Sequence, residues 1–168
     1  MSYATTTMPS PVGTLTLLAS STGLAAILWE ADSPARVRLA PRHEDPENPI
    51  LQQARQQLTA YFAGALTTFT VPLHFHGTPF QQQAWQALLT IPYGETRSYA
   101  HIANQLGLPT ATRAVGAANG KNPLSIIAPC HRVVGSSGKL TGFAGGLSAK
   151  QFLLNHESAQ LFATRGLI

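Results

Sequence analysis

The seven residues Ala128–Val134 read Ala-Pro-Cys-His-Arg-Val-Val and place the chain's single cysteine directly before a histidine and an arginine. A thiol titrates near pH 8.5 and is only about a few per cent ionised at neutrality, so a nucleophilic sulfur needs a cation or a base beside it. His131 and Arg132 supply one of each. Pro129 biases Ala128 towards an extended conformation and stiffens the approach, which predicts that Cys130 sits on a fixed turn. The β-branched pair Val133-Val134 predicts a short strand after it. A lone cysteine also fits the role of a small buried hydrophobe. The charged neighbours favour a reactive centre.

Such a centre needs a scaffold, and 168 residues are enough for one large domain or two small ones with a real core. Hydrophobic residues make up 44% and the mean hydropathy is +0.03, values of a soluble globular chain. No apolar run approaches the ~20 residues of a membrane span, and residues 1–10 lack a signal peptide's basic start and apolar stretch. One cysteine forms no internal disulfide, which predicts a reducing, cytoplasmic location. The six histidines show no metal-ligand spacing, so neither structural zinc nor any other metal is expected.

The charge is unevenly spread. Residues 1–78 hold four Lys/Arg against five Asp/Glu, a balance of −1, and residues 79–168 hold seven against two, a balance of +5. The positive field therefore lies on the half that carries Cys130. This suits a polyanionic partner, or simply a solvated basic surface.

Along the first half, Thr14–Ala19 and Leu24–Trp29 flank Ser20-Ser-Thr-Gly23 and predict a hairpin of two short strands. Residues 30–49 are charged, contain four prolines and predict an irregular loop. From Pro49 the residues Ile50, Leu51, Ala54, Leu58, Tyr61 and Phe62 fall on one helical face, with Gly64 as a stop. Thr67–Phe75 predicts another strand. Leu73–Pro79 is the expected linker, and its His74 and His76 lack a third ligand for a metal. The fold class expected is α+β: a small N-terminal sheet-plus-helix domain over residues 1–78, then a mainly helical domain over 79–168.

In that second domain Pro79–Ile91 predicts an amphipathic helix ended by Pro92-Tyr-Gly94. Ser98 is an N-cap for Tyr99–Leu106 with Gly107 as its stop, and Pro109 opens a third helix, Thr110–Asn119. The last two form a helix-turn-helix. The third helix carries one arginine among small residues, too few long polar groups to read a base sequence in the major groove. Two uses fit it: a helix slim enough to press into a widened minor groove with Arg113 as its one probe, or a helix packed closely inside the protein. Asn122 braces a turn at Gly120–Pro123, and Ser125–Ala128 predicts an apolar strand leading to Cys130. Gly135–Gly146 holds five glycines and predicts a flexible loop over a pocket. Ser148 and Gln151 predict a capping box for a last helix, Ala149–Glu157, anchored by Phe152 and Leu153. Glu157 is one of two acids in this half; facing His131, it would hold the imidazole's tautomer as the third member of a nucleophile–base–orienter set.

Pro129-Cys-His-Arg-Val133, Arg113-Ala-Val-Gly116, Asn122-Pro123, Gly142-Phe-Ala-Gly-Gly146 and Leu154-Asn-His-Glu157 together resemble the alkylguanine-DNA alkyltransferases of the stand-alone bacterial type. The likeness is dense from Thr78 to Glu157 and extends more weakly to Pro11-Val-Gly13 and Tyr61-Phe-Ala-Gly64. It implies direct-reversal repair: binding of duplex DNA through the minor groove, flipping of a guanine alkylated on its 6-oxygen, and irreversible single-turnover transfer of the alkyl group to cysteine. By motif position, Cys130 is the acceptor, His131 the base acting through a water, Glu157 the partner of His131, Tyr99 the proton donor to the leaving guanine, and Asn122 the turn brace. Arg113 fills the vacated stack on a helix that includes Ala114 and Gly116. The backbones of Val133 and Ala144 contact the flipped base, with Arg132 and Phe143 in the same binding set. The implied partner is double-stranded DNA containing 6-O-alkylguanine, with no cofactor and no membrane. The protein is expected to be a monomer in solution, with cooperative loading on DNA left open.

The sequence departs from the family at three positions: Phe143 where a tyrosine is common, Ala144 where some relatives have serine, and Ala128 where Ile or Val usually precedes Pro-Cys. None removes a reacting group. Other readings are a non-transferring damage sensor, whose known examples lack the cysteine; a cysteine hydrolase, which leaves Arg113 and its helix unexplained; and a sequence-specific regulator, which lacks base-reading side chains.

Overall fold

The computed structural model describes residues 2–138 and 140–164, with side chains up to residue 161. Lys139 of the glycine-rich loop and Arg165, both counted in the basic balance above, lie outside the described residues. The chain divides into two compact units, Met1–His76 and Gly77–Ile168.

The first unit is a four-stranded sheet in the order β3-β2-β1-β4, covered by one helix. The predicted hairpin is β2 (Leu15–Ala19) and β3 (Leu24–Leu28), antiparallel with a bulge at Leu18/Ala19. Leu15, Leu17, Leu24, Ile27 and most of their neighbours are fully buried. Two strands went unforeseen. Strand β1 (Tyr3–Met8) pairs antiparallel with β2, and β4 (Arg42–Glu44) runs parallel to β1 from within the stretch expected to be an irregular loop. All three β4 residues are exposed, so nothing in their polarity announces a strand. Thr67–Phe75, expected as a strand, makes only an isolated bridge between Leu73 and Leu24. Helix α1 (Pro49–Phe62) is capped by Asn48, whose Oδ1 accepts from the N–H groups of Ile50 and Leu51. It buries Leu51, Ala54, Leu58 and Tyr61, worth roughly 1.5–3 kcal/mol for each large side chain. His74 is held within this unit by Ser20, Oγ to Nδ1 at 2.7 Å.

The second unit is built of helices around a short parallel ladder. Helix α2 (Pro79–Leu88) starts on a full capping box between Thr78 and Gln81 and ends three residues before the expected Ile91. Strand β5 (Arg97–Ser98) leads straight into α3 (Tyr99–Gln105), with Ser98 capping His101 N–H as expected. The helix closes at Gly107: Leu108 N–H donates to Ala103 O and Gly107 N–H to Asn104 O. Pro109 does not open the next helix. It sits inside the turn closed by Ala111 N–H to Leu108 O, and α4 (Thr112–Gly120) begins beyond it. Strand β6 (Val133–Val134) pairs with β5, Arg97 opposite Val133 and Ser98 opposite Val134. Helix α5 (Leu147–Thr164) starts at Leu147 and runs past Glu157. Ser148 therefore lies inside the first turn and is not its cap. Leu153 is fully buried, but Phe152 is exposed and stacks on His156 rather than anchoring the helix. No described helix is long and apolar enough to cross a membrane.

Candidate active site

Residues 124–128 turn rather than run as the expected strand. Ala128 N–H returns to Leu124 O, and buried Ile126 has φ 77°, a conformation that β-branched residues rarely adopt. Asn122 holds this turn from inside: its Oδ1 accepts from Leu124 N–H at 3.0 Å and its Nδ2 donates to Ala128 O at 2.8 Å. Asn122 thus supports the segment that leads into Cys130. The chain then makes a single 3-10 turn, Cys130–Arg132, closed by Val133 N–H to Cys130 O, and passes into β6. The β5–β6 ladder sets this turn beside Ser98 and so beside the start of α3, where Tyr99 stands.

All three residues of the turn are buried, with Cys130 3% exposed. The surroundings are polar. His131 is fully buried, and its Nε2 meets Glu157 Oε2 at 2.6 Å. Arg132 grips the same carboxylate with two nitrogens, Nε to Oε1 at 2.8 Å and Nη2 to Oε2 at 3.0 Å, while its Nη1 donates to Ile91 O. Gly94 N–H adds a fourth donor at 3.2 Å. Gly94 has φ +79°, and a Cβ there would collide with Leu161, so this close approach requires glycine. The Tyr93 ring lies 5.6 Å under the Arg132 guanidinium.

These contacts set the protonation states. Burial alone would raise Glu157, but the hydrogen bonds and charges of His131 and Arg132 outweigh it and hold the carboxyl well below the usual range. Burial is also the largest influence on His131. It lowers the imidazole below its ordinary 6.5 despite the opposing pull of Glu157. A neutral imidazole facing an ionised carboxylate carries its proton on Nε2, which leaves Nδ1 as a bare acceptor. That Nδ1 is buried and has no hydrogen-bond partner among the described residues.

The remaining expected residues fall into two groups. The Tyr99 hydroxyl is hydrogen-bonded to Thr141 Oγ1 at 2.5 Å at the rim of the loop that carries half-buried Phe143 and Ala144. Arg113 and Ala114 are exposed on α4 with Thr112 and Ala117, while Val115 and Ala118 face inward and Gly116 backs onto the Tyr99 ring. One face of this helix, with Ala114 and Ala117 beside Arg113, is turned to solvent, and the other packs inward through Val115, Ala118 and Asn119. Arg132, grouped in advance with the DNA-binding residues, is 6% exposed and committed to Glu157 and Ile91 O; its guanidinium faces the interior because Glu157 lies there. Val133 is buried, and its carbonyl accepts from Lys150 Nζ at 2.7 Å.

Lys150 itself was overlooked. It is fully buried, packed 5.9 Å from the Phe143 ring, and burial lowers its pKa while the charge of Cys130 opposes that shift. The signal was available: Lys150, Leu153 and Glu157 share one helical face, so whatever turns Glu157 inward turns Lys150 inward too. Asn119, one turn beyond Val115, was also missed. Among the described residues no group of three or more His, Cys, Asp or Glu side chains could hold a metal ion.

Family models match both units. One described as the 6-O-methylguanine DNA methyltransferase DNA binding domain covers residues 79–159, and one described as the ribonuclease-like domain of the same proteins covers 3–75. A methylated-DNA–protein-cysteine methyltransferase of Mycobacterium tuberculosis is 51% identical over 156 residues, 92% of each chain. The constitutive methylated-DNA–protein-cysteine methyltransferase of Bacillus subtilis is 57% identical over 115 residues, 68% of this chain and 70% of its own. The crystal structure of Mycobacterium tuberculosis OGT in complex with DNA superposes with a TM-score of 0.85 at 49% identity, covering 95% of this chain and 94% of that one.

Proposed function

This chain belongs to the 6-O-methylguanine DNA methyltransferases, and from that premise we propose that it repairs duplex DNA by moving the alkyl group of a 6-O-alkylguanine onto Cys130. The observation that carries the assignment to this sulfur is the buried imidazole next to it in the chain, fixed on Nε2 by an ionised Glu157 and bare on Nδ1.

The chemistry follows from that arrangement. The Cys130 thiol gives its proton through a water to His131 Nδ1, and the thiolate attacks the alkyl carbon. A carbon–sulfur bond forms as the carbon–oxygen bond breaks, and the electron pair leaves with the guanine. Tyr99 donates its hydroxyl proton to the departing base. Arg132 and Gly94 keep Glu157 in place, so the carboxylate stabilises the imidazolium as it forms. A thioether has no easy return to thiol, which makes each molecule act once.

Residues 79–168 bind the DNA and carry the transfer, and residues 1–78 support them. Arg113 enters the base stack from the exposed face of α4, where Ala114 admits the minor groove wall and Gly116 lies behind it against Tyr99. The loop holding Phe143 and Ala144 and the backbone of Val133 receive the flipped base. No cofactor takes part. The protein works as a monomer in the cytoplasm, where reducing conditions preserve its one thiol.

The test is to incubate the protein with duplex containing 6-O-methylguanine and measure its mass. The expected result is one added methyl on the peptide containing Cys130, lost in Cys130→Ala. Tight binding with no change of mass would instead make the protein a damage sensor.

A further inference from the structure

The Asn119 side chain joins helix α4 to the acceptor segment. Asn119, in the last turn of the helix, is 7% exposed, and its Nδ2 donates to the Cys130 main-chain carbonyl at 3.4 Å. That carbonyl already accepts the Val133 N–H that closes the 3-10 turn, so it does not depend on Asn119 for satisfaction. The other end of the amide gains nothing: Asn119 Oδ1 is buried without a hydrogen-bond partner among the described residues, which costs stability. Its surroundings are apolar, since Ala84, Trp85, Leu88, Ile102 and Val115 line a narrow hollow with it. A leucine would suit this position better on stability alone. What an asparagine adds is a side-chain donor directed at the Cys130 carbonyl.

The rest of α4 gives that donor a purpose. Its outward face holds Arg113, Ala114 and Ala117, and its C-terminal end is pinned from α2 by Trp85 Nε1 donating to Ala118 O at 2.8 Å. Ala118 thus ties the helix back to the body of the unit, and its neighbour Asn119 ties it forward to the cysteine. A short helix is stiff, so a shift imposed on the outward face reaches these two residues together. We propose that Asn119 is a positioning residue that couples the seating of α4 on duplex DNA to the backbone placement of Cys130. Asn122 shapes the acceptor turn from within; Asn119 registers it against the DNA-facing helix. This inference rests on the reading of Cys130 as the alkyl acceptor.

The experiment compares Asn119→Leu with the wild-type chain on two substrates, duplex 6-O-methylguanine and free 6-O-benzylguanine without DNA. Single-turnover transfer from duplex should slow by about tenfold, the size of one contact-pair coupling. Duplex affinity at matched salt should hold, the melting temperature should stay level or rise, and transfer from the free base should fall much less. Equal losses on both substrates, or a rate loss that tracks a lowered melting temperature, would make Asn119 merely structural and overturn the proposal, as would an unchanged duplex rate. If the leucine variant does not fold, Asn119→Ala, too short to reach the carbonyl and adding no bulk, is judged by the same results. Wild-type protein that gains no methyl would refute the acceptor reading itself; active wild-type with an indifferent Asn119 variant refutes only the coupling.

Discussion

The two units bury different things. In Met1–His76 the interior is aliphatic and aromatic side chains, and Ser20, a turn residue, is the one buried residue of the Ser, Thr, amide, His or charged types among the described residues. In Gly77–Ile168 the interior also holds Asn119, Asn122, Ser125, His131, Arg132, Lys150 and Glu157. Burying charged groups is costly, and a buried ion pair seldom outperforms well-packed hydrocarbon of the same volume. The first unit is therefore packed for stability, whereas the second gives up stability to hold an imidazole in one protonation state beside a cysteine. Local rules of folding are broken where the chemistry is.

The contrast is most directly broken at Glu157. The carboxylate accepts from four N–H groups belonging to His131, Arg132 and Gly94. Glu157→Gln keeps the shape but turns one acceptor into an NH2 that must face another donor, and it leaves the Arg132 charge buried and uncompensated. The expected loss is about 3–5 kcal/mol of unfolding free energy, as for other half-broken buried pairs. Methyl transfer at a temperature where the variant is still folded should fall as well, because nothing then selects the Nε2–H tautomer. Chemical denaturation and a single-turnover assay on the same sample check both. A variant as stable as wild type would mean that the cluster is no burden, and the comparison would fail.

The opposite result is expected in the first unit. Leu58 is fully buried on α1, and Leu58→Ala should cost about 2–5 kcal/mol through lost burial and a residual cavity. Here the rate of methyl transfer per folded molecule should not change. Titrating the active fraction by mass separates that rate from the amount of folded protein. A slower reaction in the fully folded population would show that the first unit does more than provide a stable body.

What could be read in advance divides along the same line. Helices α1, α2 and α3 announce themselves through local chemistry: Ser98 as a cap, Gly64 and Gly107 as stops, apolar residues on one face; the caps Asn48 and Thr78 went unread. So does the β2–β3 hairpin. Strand β4 was missed because it is three exposed polar residues that become a strand only by pairing with a segment some forty residues earlier in the chain. The expected strand at Ser125–Ala128 was wrong for a different reason: Ile126 takes a left-handed conformation that its own side chain opposes and only the surrounding turn enforces. At the site, Cys130, His131 and Glu157 were legible as residue types and through family resemblance. Arg132 was placed in the DNA-binding set along with the family resemblance, and its inward ion pair depends on α5 arriving from elsewhere in the chain. Lys150 and Asn119 are polar residues on buried helical faces, where residue type alone argues for solvent; for Lys150 only the shared face with Leu153 and Glu157 argues the other way.

A smaller effect sharpens the comparison by pH. His131 is held below its ordinary 6.5 and Glu157 below its ordinary 4.5, so over the range beneath each value the unfolded chain binds a proton that the folded chain does not. Stability contributed by both groups is present above those ordinary values and is lost as pH falls, by up to about 1.4 kcal/mol per pH unit for each group once well below it. Between pH 7.5 and pH 5.5 only His131 should contribute, and Glu157 joins below about pH 4.5. The chain's two tryptophans allow each unit to be followed alone, since Trp29 lies in the first and Trp85 in the second. In a Trp29→Phe background, urea unfolding monitored at Trp85 should lose free energy from pH 7.5 to pH 5.5, and His131→Gln should flatten that loss. In a Trp85→Phe background the same pH step should not reproduce a loss that depends on His131. If His131→Gln leaves the Trp85 profile unchanged, the imidazole is not being held neutral by burial, and a proton taken from Cys130 would need another acceptor.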